Sequence, residues 1–423
     1  MFLEVRKSKT GGEVRIPGSK SHTIRALFIA SLADGQSIIE DPLISDDALS
    51  AVSVCKALGA SVEAVENKYI VKGFNGNPVT PSDVVDVGNS VTTLRFAVMA
   101  AALGAGCVVF TGDYQIRRRP LGPLINALNN IGAEVFSTRN NGMAPVVVKG
   151  RAKGGKTELD AVSSQYLSSM LINCPLLPND TEIVLTRLNE VPYVEMTLWW
   201  LDKQGIQYEN NGFKSFIIKG GQKYKPFNMA IPGDFSSATF FAVLAAISGG
   251  EIILKNLDMS DTQGDKLVLS ILESMGAKIS IKDNLISVKG NGLKGREIDM
   301  NSIPDALPAM AVAGCFAEGE TRLLNVPQAR LKETDRIRVM YEELGKMGAD
   351  IEELPDGLVI RRSKLKGCPV EGHDDHRIVM ALAVAGLNIE GETKISTAEA
   401  MSVTFPEFVD LIQSCGGNIK LIG

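Results

Sequence analysis

Six times along the chain, apolar residues spaced three and four apart give way to a glycine and then to a strand-like run. The amphipathic stretches are DALSAVSVCKALGA, LGPLINALNNIGA, YVEMTLWWLDKQGI, DKLVLSILESMGA, DRIRVMYEELGKMGA and FPEFVDLIQSCGG. That spacing predicts helices with one buried stripe, each ended by its glycine. The glycines are Gly59, Gly132, Gly205, Gly276, Gly348 and Gly416, 68–73 residues apart. Five of the six are followed by a second apolar run (KYIVKG, PVVVKG, SFIIKG, LISVKG and GLVIRR), so each pair of runs reads as a hairpin. A strand-like segment such as CVVFTGD, TEIVLTR or TRLLNV precedes each amphipathic helix. A second helix, rich in Ala, Val, Leu and Phe, precedes that strand. Each unit therefore reads helix–strand–helix–hairpin, a module that buries its apolar faces against its neighbours.

The repeat divides in two. IPG occurs at 16–18 and again at 231–233, each time opening a unit. Three units fit in 15–228, an upper domain, and three in 229–423. The strand-like start FLEVRK assigns residues 1–14 to the lower domain with 229–423, with short hinges near 14 and 229.

The second helices begin GSKSHTIRALFIA, GNSVTTLRFAVMA, VSSQYLSSMLI, GDFSSATFFAVLA, IPDALPAMAVA and HDDHRIVMALAVA. Each opens on Ser, Asp or Asn and then turns apolar. The plain reading is six caps satisfying free backbone N–H groups. Several starts, however, carry more polar residues than a cap uses. Lys20, Ser21, His22 and Arg25 share one, Ser163, Ser164, Gln165 and Tyr166 another, Asp374, Asp375, His376 and Arg377 a third.

Composition changes this picture in one respect. The 423 residues exceed one ordinary core, and 45% hydrophobic with 22% charged residues describes a soluble globular protein. The net charge is −5, against a general nucleic-acid or membrane-surface binder. Yet cations recur inside the helix starts and in the loops after them: Lys20, Arg25, Arg95, the run Arg117-Arg118-Arg119, Lys332, Arg336 and Arg377. On an acidic chain this predicts one electropositive cleft. Helix N-termini carry partial positive charge and free donors, so starts converging on one space would accept small, multiply anionic ligands.

Other features narrow the chemistry. The amino terminus lacks the apolar core of a signal peptide, and no apolar run approaches a membrane span of about 20 residues. Six scattered cysteines without a CxxC pair fit a reducing compartment, and a cytoplasmic location is expected. Three histidines make a multi-histidine metal site improbable, and HDDH at 373–376 reads as cap plus anion contact. GRAKGGKT at 150–157 has P-loop spacing, but ELDAVSS follows where a helix is required, so a flexible basic loop is expected. Cys107, in the run CVVF, reads as a core thiol, and Trp199 and Trp200 as packing residues. LKETDRIR at 331–338 crowds Lys332, Glu333, Asp335, Arg336 and Arg338 before a helix. It is either a solvated start laced with salt bridges or a proton-transfer group beside an anion clamp. Asp305, in IPDALPAM, suits a cap and a carboxylate base equally.

PGSKSHTIRA, GNSVTTLR, RRRPLGPL, SSQY, PY at 192–193, IPDA, RLKETDR, DHRIVMA and TFPEF together resemble the 5-enolpyruvylshikimate-3-phosphate synthase family, in its order and spacing over essentially the whole chain. The resemblance implies an α/β fold of two domains, each of three βαβαββ repeats, the enolpyruvyl transferase-like inside-out α/β barrel. It implies transfer of the enolpyruvyl group of phosphoenolpyruvate to the 5-hydroxyl of shikimate 3-phosphate, with domain closure excluding water. No cofactor, no metal, no nucleic acid and no membrane partner is implied, and a monomer is expected. By motif, Lys20, Ser21 and Arg25 would hold shikimate 3-phosphate, with Lys20 reaching phosphoenolpyruvate as well. Ser163, Ser164, Gln165 and Tyr193 would complete that side. Arg119, Arg336 and Arg377 would clamp phosphoenolpyruvate, Asn89 and Thr92 would shape its pocket, and Arg95 would lie near it. Asp305 would take the hydroxyl proton, and Lys332 and Glu333 would handle the C3 proton.

Four positions depart from the common pattern: Val91 where many members have Gly, Glu190 where many have Ser, Gln328 where many have Asn, and Val403 where some have Lys. Gln328 can still donate an amide. Val91 adds bulk beside the phosphoenolpyruvate pocket, so glyphosate, which competes for that site in the family, is expected to bind poorly. Two other readings stand beside it. The related UDP-N-acetylglucosamine transferase has an Ala-Lys-Asn type first motif and a loop cysteine, whereas this chain has SKS and no cysteine in 111–119. A non-catalytic shikimate-phosphate binder would be disabled by Val91 and Glu190.

Overall fold

The computed structural model describes residues 1–282 and 284–423. Its helices, in chain order, are α1 (Lys20–Leu32), α2 (Asp46–Ala57), α3 (Val91–Ala101), α4 (Gly122–Asn130), α5 (Ser164–Asn173), α6 (Val191–Gln204), α7 (Phe235–Ser248), α8 (Leu267–Met275), α9 (Leu307–Phe316), α10 (Arg336–Lys346), α11 (His376–Gly386) and α12 (Phe408–Ser414). Consecutive pairs accompany four-stranded sheets built to one plan. In the second repeat the order is Val85–Asp86, Cys107–Thr111, Val146–Lys149, Glu134–Ser137. The first two strands run parallel across α3, and the others are antiparallel as the hairpin requires.

Helix character follows composition. The odd-numbered helices are apolar nearly all round, as in LPAMAVAGCF of α9, and almost every residue in them is buried. A helix without a polar face belongs inside a core. Accordingly α3 packs on α1 and α5, and α9 packs on α7 and α11. The even-numbered helices bury a single stripe, as α4 does with Leu124, Ile125, Ala127 and Leu128.

The chain forms two compact units, Gly18–Ile231 and Met1–Pro17 with Pro232–Gly423. The first strand of each unit's first sheet comes from the far end of the repeat pattern. Asn228–Ala230 pairs in parallel with Gln36–Glu40, and Gly12–Arg15 with Glu251–Lys255. Phe2–Arg6 fills the hairpin position that the sixth repeat lacks, antiparallel to Glu392–Ser396 on one side and Asn418–Ile422 on the other. The two IPG motifs have one steric reason. A Cβ on Gly18 would stand 2.3 Å from the Asp41 carbonyl oxygen, and one on Gly233 would stand 2.0 Å from that of Asn256. Only glycine lets the chain pass so close to a neighbouring strand end.

Candidate functional site

In the unit Gly18–Ile231 the starts of α1, α3 and α5 carry the polar residues. Ser19 and Ser90 cap α1 and α3 through the N–H groups of His22 and Thr93. The cations just inside are anchored by side chains from other helices. Arg25, fully buried, donates Nε to Thr197 Oγ1 at 2.9 Å and Nη2 to the Tyr193 carbonyl at 2.9 Å. Burial pulls its guanidinium down to about 10, with Tyr193 offsetting part of that, so it stays cationic at neutral pH. Arg95 Nη1 reaches Ser163 Oγ at 2.9 Å and Gln165 Oε1 at 2.8 Å, and its Nη2 reaches the Pro120 carbonyl at 3.2 Å. Gln165 Nε2 donates to Thr92 Oγ1 at 3.0 Å, which ties α5 back to α3. Lys20 Nζ pairs with Asp47 at 3.0 Å. Asn89 Nδ2 donates to Asp113 at 2.5 Å and Gln115 at 2.7 Å. Within 117–119 only Arg119 turns inward; Arg117 and Arg118 are exposed. Tyr193 is half-buried on the first turn of α6, and Ser21 is half-buried at the start of α1.

The second unit gathers its charges on Asp305, in a single 3-10 turn before α9. Asp305 Oδ1 lies 2.9 Å from Arg336 Nη1 and 3.6 Å from Lys332 Nζ, and Oδ2 lies 3.1 Å from Arg377 Nη2. Arg336, 1% exposed, also meets Glu333 at 2.6 Å and Asp375 at 2.8 Å. Burial lowers the Arg336 pKa, but Asp375, Glu333 and Asp305 more than offset that and the net shift is upward. For Asp375 burial acts upward, Arg336 acts downward and prevails, and the carboxyl is held below its ordinary value. Arg377 Nη2 further reaches Ser236 Oγ, at the start of α7, at 3.1 Å. Gln328 is buried in a neighbouring turn, donating Nε2 to the Asn301 carbonyl at 3.1 Å, and among the described residues its Oε1 has no hydrogen-bond partner.

The structure divides LKETDRIR between its two readings. Lys332, Glu333 and Arg336 join the Asp305 cluster. Asp335 caps α10 through the Arg338 N–H and pairs with Arg330, and Arg338 is exposed against Glu342 and Glu353. Asp375, which the sequence shows only as a cap, holds Arg336 by two bonds; the adjacency of DDHR to an apolar helix was its one signal. His22 does not face the helix start, because its Nδ1 accepts from the buried Trp200 indole at 3.0 Å. Cys107 is exposed rather than in the core, because the strand Cys107–Thr111 alternates and its first position faces out. GRAKGGKT is not a flexible loop throughout, because its last three residues open the strand Gly155–Ala161, with Lys156 paired across it to Glu182, and the strand stands where a P-loop needs a helix. Among the described residues no group of three or more His, Cys, Asp or Glu is placed to hold a metal ion. Val91 opens α3 and is nearly buried in the core of its unit.

Beside this site, Glu343 of α10 is fully buried and accepts from His373 at 2.8 Å, Lys346 at 2.7 Å and the Glu371 N–H at 2.9 Å. Burial would raise its pKa, but these donors prevail and set it at about 2. His373 is raised by its bond to Glu343. The two shifts set opposite limits. The Glu343 contribution is present above its ordinary value of 4.5 and is lost as pH falls toward about 2. The His373 contribution is complete below 6.5 and fades as pH rises through its raised folded value. Denaturation midpoints of the wild type are therefore expected to fall on both sides of pH 4.5–6.5. His373→Gln should flatten the alkaline side, and Glu343→Gln should cost about 1–2 kcal/mol at pH 6, discounted for the solvent-exposed Lys346 partner. Superimposable profiles for wild type and His373→Gln would contradict this.

Comparison with known proteins agrees on one family. The family model described as EPSP synthase (3-phosphoshikimate 1-carboxyvinyltransferase) matches residues 5–412. The 3-phosphoshikimate 1-carboxyvinyltransferase of Acetivibrio thermocellus is 71% identical over 420 residues, 99% of each chain. That of Ruminiclostridium cellulolyticum is 65% identical over 422 residues, the whole of both. The solved EPSP synthase of Acinetobacter baumannii superposes with a TM-score of 0.85 at 27% identity, covering both chains completely.

Proposed function

From the premise that the chain belongs to the EPSP synthase (3-phosphoshikimate 1-carboxyvinyltransferase) family, we propose which of its residues carry the reaction. The chain is a carboxyvinyltransferase of the shikimate pathway. It joins the enolpyruvyl group of phosphoenolpyruvate to the 5-hydroxyl of shikimate 3-phosphate and releases phosphate.

Lys20, Ser21, Arg25, Ser163, Ser164, Gln165 and Tyr193 hold shikimate 3-phosphate. Arg119, Arg336, Arg377 and Lys20 hold the phosphate and carboxylate of phosphoenolpyruvate, with Asn89, Thr92, Arg95 and Gln328 shaping its surroundings. Asp305 takes the proton of the 5-hydroxyl as that oxygen bonds to C2. The C2–C3 π pair takes a proton at C3, giving a tetrahedral intermediate. Loss of that C3 proton restores the double bond as the C2–O bond to phosphate breaks. Lys332 and Glu333 deliver and remove the C3 proton.

The observation that carries this reading is the meeting of Asp305 with Lys332, Arg336 and Arg377. Three cations converge on this one carboxylate and orient it as the proton acceptor. We place the enzyme in the cytoplasm, as a monomer without cofactor or metal.

Phosphate release tests the function. It should require both shikimate 3-phosphate and phosphoenolpyruvate, with one enol ether formed per phosphate. No release with shikimate 3-phosphate would sink the proposal. Run with glyphosate, the same assay should show weak inhibition of wild type and stronger inhibition of Val91→Gly; potent inhibition of wild type would remove that part of it.

A further inference from the structure

We propose that Glu190 is an internal rival of the substrate phosphate, occupying the start of α5 in the unliganded chain and so weakening phosphate recognition. The inference rests on the assignment of Ser163 and Ser164 to shikimate 3-phosphate. Ser163, the residue before α5, makes no side-chain cap bond, and its hydroxyl accepts from Arg95 instead. The capping role passes to another element. Glu190 Oε2 accepts from Ser164 Oγ at 2.7 Å and from the Ser164 backbone N–H at 3.3 Å.

The backbone aims the carboxylate there. Glu190 stands before Val191 of α6 with φ 58° and ψ 44°, left-handed values that a glutamate adopts only under constraint. Asn189 N donates to the Ala161 carbonyl and Tyr193 N to that of Glu190, which fixes the turn. The residue is 2% exposed. A carboxylate on a helix N-terminal N–H and hydroxyl satisfies the same donors that a phosphate oxygen would use. Two such anions cannot share those donors without strong like-charge repulsion. From neighbouring elements, Arg95 of α3 bonds Ser163 and Gln165 of this start, and Arg25 of α1 bonds Ser168 one turn further in and the Tyr193 carbonyl of α6. A phosphate that binds here must therefore first displace Glu190 from Ser164.

The readout is a ratio of affinities. Calorimetric Kd values for shikimate 3-phosphate and for unphosphorylated shikimate would be measured on wild type, Glu190→Ser and Glu190→Gln, each checked for folding by its Tm. Glutamine keeps an oxygen acceptor for Ser164 and removes only the charge. Shikimate 3-phosphate should bind both variants about tenfold tighter or more, while shikimate stays within about twofold. A merely structural cap would shift both ligands together, and that result overturns the proposal, as does unchanged or weaker shikimate 3-phosphate binding. Shikimate 3-phosphate binding to Ser163→Ala is the separating control. If it equals wild type, the underlying assignment fails; if it is weaker and the affinity ratio does not move, only the role of Glu190 fails.

Discussion

Replacing Asp305 with asparagine is expected to lower the turnover of phosphate release by about 10²–10⁴-fold, with a much smaller change in KM. The side chain keeps its size, but the amide accepts no proton at neutral pH. The substitution also turns an NH₂ toward a cation. Asp305 offers one oxygen to Arg336 and Lys332 and the other to Arg377, so an asparagine must present a donor to one of those donors. Steady-state kinetics with both substrates, and direct binding of shikimate 3-phosphate, separate the two effects. The base assignment fails if turnover stays within fivefold of wild type.

The second large effect concerns stability. Arg336→Met should destabilise the unit that carries it by about 3–5 kcal/mol, because breaking a buried ion pair leaves an uncompensated charge. Asp375 is fully buried and would lose its two-bond partner, while Glu333 and Asp305 would face it as like charges. Calorimetry should show that unit melting about 6–20 °C lower. Arg336→Lys should recover only part of the loss, since an ammonium cannot replace a fork that meets three carboxylates. Arg336→Met combined with Asp375→Asn should regain stability relative to Arg336→Met alone, because the orphaned charge is gone while the α11 cap acceptor remains. Activity should not return with it. A loss below 1 kcal/mol in Arg336→Met would show that the arginine is not the centre of the cluster.

Much of the site was legible because helix starts announce themselves locally. Ser19, Ser90, Asp234 and Asp375 were readable as caps by their place before apolar runs, and each accepts from its helix. The surplus cations at the helix starts and in the loops after them marked Arg25, Arg95, Arg336 and Arg377, all of them buried. The partners were not legible. Thr197 and Ser168 hold Arg25 from 172 and 143 positions away, and nothing in either segment points to an arginine. The orientation of a loop residue was equally hidden: Arg117, Arg118 and Arg119 look alike in sequence, and only the turn decides which one is inside. Cys107 went astray for a related reason, since an apolar run does not say which of its alternating positions faces out.

The sequence by itself determined the sixfold periodicity, the helix–strand–helix–hairpin order of each unit and the chemistry gathered at the helix starts. These follow from spacing, capping and glycine stops, which act over a few residues. Tertiary structure alone decided which strand completes which sheet. Phe2–Arg6 closes a sheet with strands near 392 and 418, and Gly12–Arg15 and Asn228–Ala230 each complete a first sheet whose remaining strands follow the other IPG motif. It also decided that a glutamate in a left-handed turn would cap a helix 26 residues earlier. Such choices depend on hydrogen-bond register and burial between distant segments, and those terms exist only once the cores have closed.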